Sequence, residues 1–352
     1  YIMKKYYTRV CNFYYGNTSK KLIKQKKTLP LNGNPKISFD HIEILSRNSK
    51  KKIHIKDIKK LSKFFKVKIK NDLKKIIKKK KNFSNFNFKY IPNIMGVLNL
   101  TPDSFSDGGK FKKKNLGYKH AVYLFKSGAN IIDVGGESTR PGSREVKIKI
   151  EWNRIKSIIK KFGKKIPLSL DTRKSEIMER GIRAGVQLIN DTSGLKHDKQ
   201  SINVIKKYKV PFVIHHIQGT PDTMQIKPKY KNVLLDIYDF FEEKIKYLRF
   251  KGIKHKHIIV DPGIGFGKKL KHNMKLISNV SIFHSLGFPI LLGVSRKRFI
   301  KDISGNNDND KRLGGTISAS LFAMMQGVQI LRIHDVNDVI QGAKVFNELI
   351  KD

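Results

Sequence analysis

Cysteine, acidic residues and long apolar runs are all scarce in this sequence, and each shortage excludes a class of protein. Its 352 residues include one cysteine, Cys11, which excludes an internal disulfide and a metal cluster built on cysteines. No stretch approaches the roughly 18 to 20 apolar residues of a membrane span, and residues 1–30 lack the apolar core of a signal peptide. We therefore expect a protein without a membrane segment that works in a reducing compartment, the cytoplasm.

Acidic residues are outnumbered by basic ones, and the excess is unevenly distributed. There are 28 Asp and Glu against 74 Lys and Arg, a formal net charge of +46, which commonly indicates a nucleic-acid partner. Residues 1–90 hold 27 basic and 4 acidic residues, so half of the excess lies in a quarter of the chain. Lysine outnumbers arginine 61 to 13, although surfaces that bind phosphates usually use arginine as well. We interpret the charge mainly as a lysine-rich solvated surface and disfavour nucleic-acid binding by the basic extension.

Residues 1–90 also differ in pattern from residues 91–352, which predicts a domain boundary near residue 90. Residues 39–44 and 51–55 alternate polar and apolar side chains, as half-buried strands do. Residues 74–81 are rich in lysine and are typical of an exposed helix end that leads into a linker. The pattern predicts a small basic extension that contains β-strands, of unknown role, followed by a larger domain.

Residues 91–352 repeat a short apolar run followed by an amphipathic stretch, which is the pattern of an α/β domain. The predicted strands are 94–100, 130–134, 167–171, 187–191, 211–215, 257–261, 289–294 and 329–334. Eight β/α units in 262 residues predict a closed (β/α)8 barrel, or TIM barrel. A doubly wound open sheet is the alternative, but no Gly-x-Gly-x-x-Gly motif follows the first strand.

Polar side chains stand at the ends of the predicted strands. They are Asn99, Asp133, Asp171, Asn190, His215, Asp261, Ser295 with Arg296 and Lys297, and Arg332 with His334 and Asp335. A single Asp after a strand is more often a helix cap than a ligand group. In a TIM barrel, however, the carboxyl ends of all strands meet at one mouth, so this set predicts an active site there.

Three loops after these strands carry the most specific patterns. Residues 101–109 and 135–142 combine Gly, Pro and Ser with charged residues and are typical of lids. Residues 261–268 read DPGIGFGK, and their glycines allow the backbone to approach a flat ligand or a phosphate. This is not a Walker A loop, because the glycine spacing differs.

In this order, these strings resemble the dihydropteroate synthases, a pterin-binding family. The resemblance runs from about Pro92 to the C-terminus and includes MGVLNLTPDSFSDGG at 95–109, DVGGESTRPG at 133–142, SRK at 295–297 and RIHD at 332–335. It implies a TIM-barrel transferase that joins 6-hydroxymethyl-7,8-dihydropterin diphosphate to 4-aminobenzoate and releases pyrophosphate with help from Mg²⁺. It also implies a homodimer that forms through barrel helices.

The resemblance implies the site residues as well, position by position. The implied pterin contacts are Asp171, Asn190, Ile217, Asp261 and Lys297. The implied diphosphate contacts are Asn99, Arg332 and His334, and Asn99 is also the implied Mg²⁺ ligand. The implied aminobenzoate contacts are Phe105, Thr139, Arg140, Pro141 and Phe266. Direct roles in the reaction fall to Lys297, Asp171, Asp107 and Arg140.

The chemistry of these residue types agrees with such roles. An ionised carboxylate such as Asp261 accepts two hydrogen bonds from a pterin edge at once. Arg332 and His334, two apart on a strand, face the same side and can bind one diphosphate. The arylamine substrate is already neutral near pH 7, so no strong general base is required, and we expect a dissociative, SN1-like step.

Two positions depart from the pattern common in the family, and three rival hypotheses stay open. Ile217 stands where Met is common, a swap that nearly conserves volume, and Arg298 stands where Ser is common and adds a charge near the expected aminobenzoate. The nearest rival is a pterin-binding methyltransferase with the same barrel, which the lid strings and the SRK motif disfavour. The others are a degenerate barrel kept as a binding module and a nucleic-acid-associated protein.

Overall fold

Two separate β-sheets organise the chain, one in the extension and one in the region after residue 90. A computed structural model of the protein describes residues 5–89, 91–101, 116–140, 142–305 and 307–351. The first sheet has four strands and the second has eight. None of the helices in the described part of the chain has the length and apolar character needed to cross a membrane.

The extension is an antiparallel sheet packed against helices. Its elements are β1 (Tyr7–Tyr15), α1 (Gly16–Lys24), β2 (Leu29–Leu31), β3 (Asn34–Leu45), β4 (Lys50–His54) and α2 (Lys63–Ile77), with a 3₁₀ helix at Ile55–Lys60. The central strand β3 pairs antiparallel with the other three strands. Ile69 and Leu73 of α2 join Val10 and Ile42 of the sheet in one apolar cluster. The predicted strands at 39–44 and 51–55 are confirmed as β3 and β4.

The segment between the extension and the barrel combines exposed and buried side chains. Lys74, Lys75, Lys78, Lys79 and Lys81 are exposed, as predicted for this helix end and linker, but several other side chains of the segment are buried. Ile76, at the end of α2, is fully buried, and Lys80 is 6% exposed with its ammonium donating to the Lys75 carbonyl at 2.9 Å. Phe86 and Phe88 pack on the first inward side chains of the barrel strands, which are Met95, Ile131, Leu188, Val213, Ile259, Leu291 and Ile330. This phenylalanine plug closes the amino-terminal end of the barrel.

The barrel consists of eight parallel strands with helices between them. The strands are β5 (Asn93–Asn99), β6 (Ile131–Gly135), β7 (Leu168–Asp171), β8 (Leu188–Asp191), β9 (Phe212–His215), β10 (Ile258–Asp261), β11 (Leu291–Leu292) and β12 (Ile330–Ile333). The helices are α3 (Leu116–Lys126), α4 (Ile148–Phe162), α5 (Ser175–Arg183), α6 (Ser201–Tyr208), α7 (Val233–Phe250), α8 (Leu270–Ser278), α9 (Arg298–Ser304), α10 (Leu313–Met325) and α11 (Val336–Leu349). Short 3₁₀ helices lie at His255–His257, Val280–Leu286 and Asp310–Arg312.

Neighbouring strands follow in chain order except where the ring meets itself. The order is β10, β9, β8, β7, β6, β5, β12, β11, and Val260 of β10 pairs in parallel with Ile290, just before β11. The Val260 amide also donates to the Pro289 carbonyl at 3.0 Å. The predicted (β/α)8 barrel is confirmed, although β11 is limited to two residues where six were predicted.

The alternation of side chains along the strands connects the plug to the opposite end of the barrel. Successive strand residues point to opposite faces, so residues two apart share the interior. The apolar cluster of the plug includes one residue from each of six strands: Met95, Ile131, Leu188, Val213, Ile259 and Ile330. A polar residue of the site follows on the same face of each strand, four residues later for Asn99 and two residues later for Asp133, Asn190, His215, Asp261 and Arg332. The same period that builds the core therefore directs these polar side chains into the carboxyl-terminal mouth.

Candidate active site

Arg332 lies at the centre of the mouth and joins side chains from three strands. Its Nε donates to Asp133 Oδ2 at 2.7 Å and its Nη2 donates to Asp171 Oδ2 at 2.8 Å. Asn190 Nδ2 donates to the same Asp133 oxygen at 2.9 Å. Burial raises the pKa of Asp171 and the neighbouring Asp133 adds to the effect, whereas the Arg332 guanidinium opposes it. This group forms a rigid polar floor.

Two oxygens of this floor have no donor among the residues that the structure describes. They are Asp133 Oδ1 and Asn190 Oδ1, both buried. Leaving a buried acceptor unsatisfied costs about 1 to 3 kcal/mol, so proteins rarely keep one without a purpose. The floor is therefore suited to a bound molecule that brings N–H donors.

Asp261 supplies a third buried carboxylate. One of its oxygens accepts from the Gly263 amide at 2.8 Å, and the other lies 3.8 Å from His215 Nε2. Burial raises the pKa of Asp261 to about 6, against the opposing charge of Lys297. Burial and the charge of Lys268 hold the pKa of His215 well below its usual range, so this imidazole is neutral.

Lys297 lines the same cleft as Asp261. Its Nζ lies over the Phe266 ring, 4.3 Å from the ring centroid. Burial and the neighbouring Arg332 charge lower the pKa of Lys297 to about 8, while Asp261 and Asp171 oppose that shift. A side chain of this kind is a hydrogen-bond donor whose protonation changes close to neutral pH.

Several of these groups line one small cleft. Its lining residues are Asn190, Thr192, His215, Asp261, Ile264, Phe266, Gly293, Lys297 and Arg332. Ile264 and Phe266 form an apolar wall, and acceptors and cations occupy the other side. Such a mixture fits a flat heterocycle with polar edges.

Next to the cleft, His334 lies in a positively charged region. Its backbone amide donates to Ser295 Oγ at 3.1 Å, and its Nδ1 lies 3.0 Å from the same hydroxyl. Burial holds the pKa of His334 well below its usual range, and so do the nearby charges of Arg332, Arg296, Lys297 and Arg140. Carboxylates already pair with Arg332 and Arg296, so Lys297 and Arg140 are the cations of this group that can favour a bound anion.

Asn99 lies across Gly135 from this region. A methyl group added to Gly135 would lie 3.4 Å from Asn99 Oδ1 and 3.7 Å from Asp171 Oδ2. Both oxygens therefore border the same small space, which the absence of a side chain at Gly135 keeps open.

The rim opposite the floor is apolar, with cations beyond it. Ile217, Met224 and Phe266 form a buried cluster of their own. Thr139 is half-buried and Arg140 is exposed at the start of the loop after β6. Arg298 is 74% exposed and pairs with Asp302 at 3.5 Å. Three of the predicted residues, Phe105, Asp107 and Pro141, lie outside the described residues.

A buried ionic network fixes the loop that carries Thr139 and Arg140. Lys174 donates to Glu137 at 2.8 Å and to Glu151 at 2.7 Å, and Arg173 donates to Glu137 at 3.0 Å. The Glu137 carboxylate also accepts from the Val146 amide at 3.1 Å. The sequence prediction missed this network, although Glu137 lies within a recognised string and Arg173 follows a predicted strand.

Two further residues belong to the site without having been given a role. Asp133 and His215 were noted among the polar strand ends, but the contacts with Arg332 and Asp261 assign them to the floor. Lys268 holds the glycine turn by donating to the carbonyls of Phe266 at 2.8 Å and His216 at 3.3 Å. Lys268 directly follows the third glycine of the turn, Gly267, and this position is the sequence feature that could have indicated its role.

Arg296 adopts a left-handed backbone conformation, with φ of 56°. Its guanidinium donates twice to Asp335 and, at 2.6 Å, to Asp310. Its amide donates to Thr316 Oγ1 at 3.0 Å. The ion pairs compensate an unfavourable conformation that directs the neighbouring Lys297 into the cleft.

A parallel barrel with acceptors, cations and an aromatic wall at its carboxyl-terminal mouth defines the class of this protein. It is a TIM-barrel protein whose site suits a flat, N–H-rich heterocycle next to an anionic group.

Comparisons with known proteins agree with this class. The sequence model of the family described as "Pterin binding enzyme" matches residues 95–334. Dihydropteroate synthase of Escherichia coli K12 is 38% identical over 256 residues, which are 72% of this chain and 90% of the relative. The Clostridium beijerinckii enzyme is 40% identical over 269 residues, with coverages of 76% and 97%.

Solved structures give the same result. Yersinia pestis dihydropteroate synthase in a sulfonamide drug complex aligns with a TM-score of 0.70 at 35% identity, covering 74% of this chain and 95% of that one. The Xanthomonas albilineans enzyme with 4-aminobenzoic acid aligns with a TM-score of 0.68 at 34% identity, covering 73% and 93%. The chain therefore belongs to the dihydropteroate synthase family of pterin-binding enzymes, which are transferases.

Proposed function

We propose that the protein condenses 6-hydroxymethyl-7,8-dihydropterin diphosphate with 4-aminobenzoate to give 7,8-dihydropteroate and pyrophosphate. The observation that carries this proposal is the cleft lined by Asp261, Asn190, Lys297 and Arg332, in which Asp133 and Asp171 hold the Arg332 guanidinium. Family membership makes the reaction class the natural one for such a site.

Recognition of the pterin follows from the donors and acceptors present. The ionised Asp261 accepts from the amidine edge of the ring, and the free oxygen of Asn190 accepts from another ring N–H. Lys297 donates to the pterin oxygen, and Asp171 accepts from a further N–H. Ile217 packs next to Phe266 on the apolar side, as the swap from Met would allow.

Binding of the diphosphate uses the positive region around His334. Arg332 and His334 donate to its oxygens, and Arg296, Lys297 and Arg140 contribute favourable charge. Arg140 and Thr139, on the loop held by Glu137, hold the aminobenzoate against Phe266.

Mg²⁺ belongs to the proposal, and the oxygen donors at Asn99 are compatible with it. Asn99 Oδ1 borders the space at Gly135, and an amide oxygen is one of the oxygen ligands that Mg²⁺ prefers. Among the described residues no group of three Asp, Glu, His or Cys could hold a metal, so a Mg²⁺ that arrives with the diphosphate suits this site. When bound, the ion would neutralise charge on the leaving group.

The reaction is a substitution at the exocyclic carbon of the pterin. The C–O bond to the diphosphate breaks first, its electron pair leaves with pyrophosphate, and the dihydropterin ring delocalises the remaining positive charge. The arylamine nitrogen then forms the C–N bond and loses a proton to water. The residues described above hold both substrates and stabilise the departing charge, and none is needed as a strong base.

Two further parts of the proposal concern assembly and location. Phe322 on α10 and Val345 and Leu349 on α11 are large exposed apolar side chains, and such a surface suits the homodimer that family membership suggests. Sedimentation equilibrium that gives the mass of a single chain at micromolar concentration would exclude the dimer.

We propose the cytoplasm as the location, which fractionation of cells that express the tagged chain would test.

The test of the proposed reaction is pyrophosphate release by the full chain with each substrate alone and with both. Release is expected only with both substrates and Mg²⁺. Lys297→Ala is expected to lower kcat/KM by about 100-fold or more, because it removes a donor at the reacting ring. The matched control is Lys271→Ala, an exposed lysine on α8. Release that does not require 4-aminobenzoate, or full activity of Lys297→Ala, would exclude the reaction.

The pH dependence of kcat/KM should be bell-shaped. Asp261 accepts from two pterin donors at once only when it is ionised, and burial raises its pKa to about 6. Lys297 carries its positive charge only when it is protonated, and burial lowers its pKa to about 8. If Asp171 must also be ionised, its raised pKa shifts the low-pH side of the kcat/KM profile to higher pH. Arginine stays protonated at high pH, so in Lys297→Arg the fall of kcat/KM above about pH 8, the alkaline limb, should disappear even if kcat/KM is lower than in the wild type. A profile that is flat through both values, or an alkaline limb that persists in Lys297→Arg, contradicts these assignments.

A further inference from the structure

The N-terminal extension contacts the barrel through an arginine fork on helix α7. Arg47 Nη1 donates to Asp236 Oδ1 at 2.6 Å, and Arg47 Nη2 donates to Asp239 Oδ2 at 2.8 Å. Only Arg9 and Arg47 are arginines among residues 1–90, so this contact uses the rare residue where lysine is the rule. A fork can bridge two carboxylates that one ammonium could not hold in the same geometry.

The same Asp236 carboxylate caps the start of α7. Its second oxygen accepts from the amides of Lys231 at 2.9 Å and Asn232 at 3.1 Å. Asn232 in turn accepts from the Leu235 amide at 3.3 Å, which completes a reciprocal cap. Any change in the position of Asp236 is therefore passed to the backbone that enters the helix.

The loop that precedes this cap, residues 216–232, is pinned to the glycine turn of the cleft. Tyr230 OH donates to the Gly267 carbonyl at 2.8 Å, and Gln225 Nε2 donates to the Gly265 carbonyl at 2.8 Å. Phe266, between these two glycines, forms part of the cleft wall. Ile217 and Met224, from the same loop, pack directly on Phe266.

We propose that Arg47 is a positioning residue for the substrate cleft: it fixes Asp236, and through the cap of α7 it fixes loop 216–232 and the Phe266 wall. Arg47 is 44% exposed, and an ion pair at such a site contributes little to overall stability. Its effect falls on geometry instead, where small displacements of a substrate wall are costly. The extension is thus a working part of the site, although the family model begins only at residue 95.

The competing explanation is that the extension merely supports the barrel. It has other contacts that allow a comparison, since Tyr15 OH donates to the Met325 carbonyl at 2.7 Å, at the end of α10. Tyr15→Phe removes one hydrogen bond of the same interface without touching α7 or loop 216–232. It is the matched control for Arg47→Met, which keeps the length of the side chain and removes its charge.

Hydrogen–deuterium exchange of the full chain tests the proposal without any substrate. In Arg47→Met, the amides of residues 216–232 should exchange about five-fold faster or more than in the wild type, because the cap is loosened. Tyr15→Phe should leave them unchanged, and Arg47→Lys should recover part of the protection. Equal exchange of residues 216–232 in Arg47→Met and the wild type would overturn the proposal, as would the same acceleration in Tyr15→Phe.

Kinetics give a second readout, which rests on the proposed function. Arg47→Met should raise KM for the substrates about three- to ten-fold with kcat within about two-fold, as expected for a misplaced binding wall. Combined with Asp236→Asn, it should have no larger effect than either change alone. Additive effects, or a change in kcat alone, would overturn the role of Arg47. If the wild type shows no pyrophosphate release, the proposed function fails while the exchange experiment still decides this inference.

Discussion

Asp261→Asn is expected to lower kcat/KM by about 100-fold or more and, at neutral pH, to make the protein more stable. The activity falls because the neutral amide offers one acceptor and presents N–H donors where the carboxylate faces donors of the pterin. The stability rises because the buried carboxylate is ionised at an energetic cost. The amide oxygen can still accept from the Gly263 amide, so the turn is retained.

The sign of the stability change depends on pH. Burial raises the pKa of Asp261 from its ordinary 3.8 to about 6. The stabilising effect of a raised pKa is fully present below the ordinary value and is lost as pH rises through about 6. At about 1.4 kcal/mol for each pH unit, ionisation costs at most about 3 kcal/mol. We expect Asp261→Asn to gain about 1 to 3 kcal/mol in free energy of unfolding at pH 7.5, and close to none at pH 4.

Urea unfolding of both proteins at the two pH values measures this difference. Asp57→Asn is the control, because the pKa of Asp57 is lowered by the hydrogen bond from Lys60, and its replacement should be neutral or slightly destabilising at pH 7.5. If Asp261→Asn is less stable than the wild type at pH 7.5, the carboxylate is not under the strain that its burial suggests. Retained activity would remove Asp261 from pterin binding.

Gly263→Ala is expected to lower the free energy of unfolding by about 3 to 5 kcal/mol, a large effect for one methyl group. Gly263 has φ of 70°, in the left-handed region that disfavours side chains. The added Cβ would lie 2.0 Å from the His216 carbonyl oxygen and 3.0 Å from His215 Cε1. The backbone must therefore move, and the Gly263 hydrogen bond to Asp261 moves with it.

Gly305→Ala separates the effect of the left-handed backbone conformation from the effect of the close contact with His216. Gly305 has φ of 75°, but no atom of the described residues lies within 4 Å of the added methyl group, so Gly305→Ala should lose only about 1 kcal/mol. Equilibrium unfolding in urea, checked for an unchanged slope, measures both variants. Equal losses at the two positions would show that conformation alone, and not contact with His216, makes Gly263 necessary.

The barrel was predictable from the sequence because its strands obey local rules. The strands from Asn93 to Ile333 are short, largely apolar runs, and five of the eight (β5, β7, β8, β9 and β10) end in a polar residue. The predicted ranges differ from the observed ones by no more than two residues at either end. The short β11 differs most, since the run 289–294 is apolar throughout but only two residues complete a ladder. The carboxyl-terminal position of Asp171, Asn190, Asp261 and Lys297 followed from the same pattern.

What the sequence did not reveal depends on contacts between distant residues. Arg332 joins Asp133 and Asp171 across 199 and 161 positions, and no local pattern predicts such a pair. The phenylalanines near residue 86 alternate with Asn and Ser as in a solvated linker, and their burial is explained only by the apolar residues at the amino-terminal end of the barrel. The contact of Arg47 with α7 is likewise invisible until the extension and the barrel are both folded.

The phenylalanine plug also constrains the order in which the chain can fold during synthesis. Phe86 and Phe88 leave the ribosome before any barrel strand, yet the surface that buries them runs from Met95 to Ile330. Until β12 has been made, these rings have no complete partner and remain available for other apolar contacts. The aromatic segment therefore reaches its full burial only when most of the chain has been made.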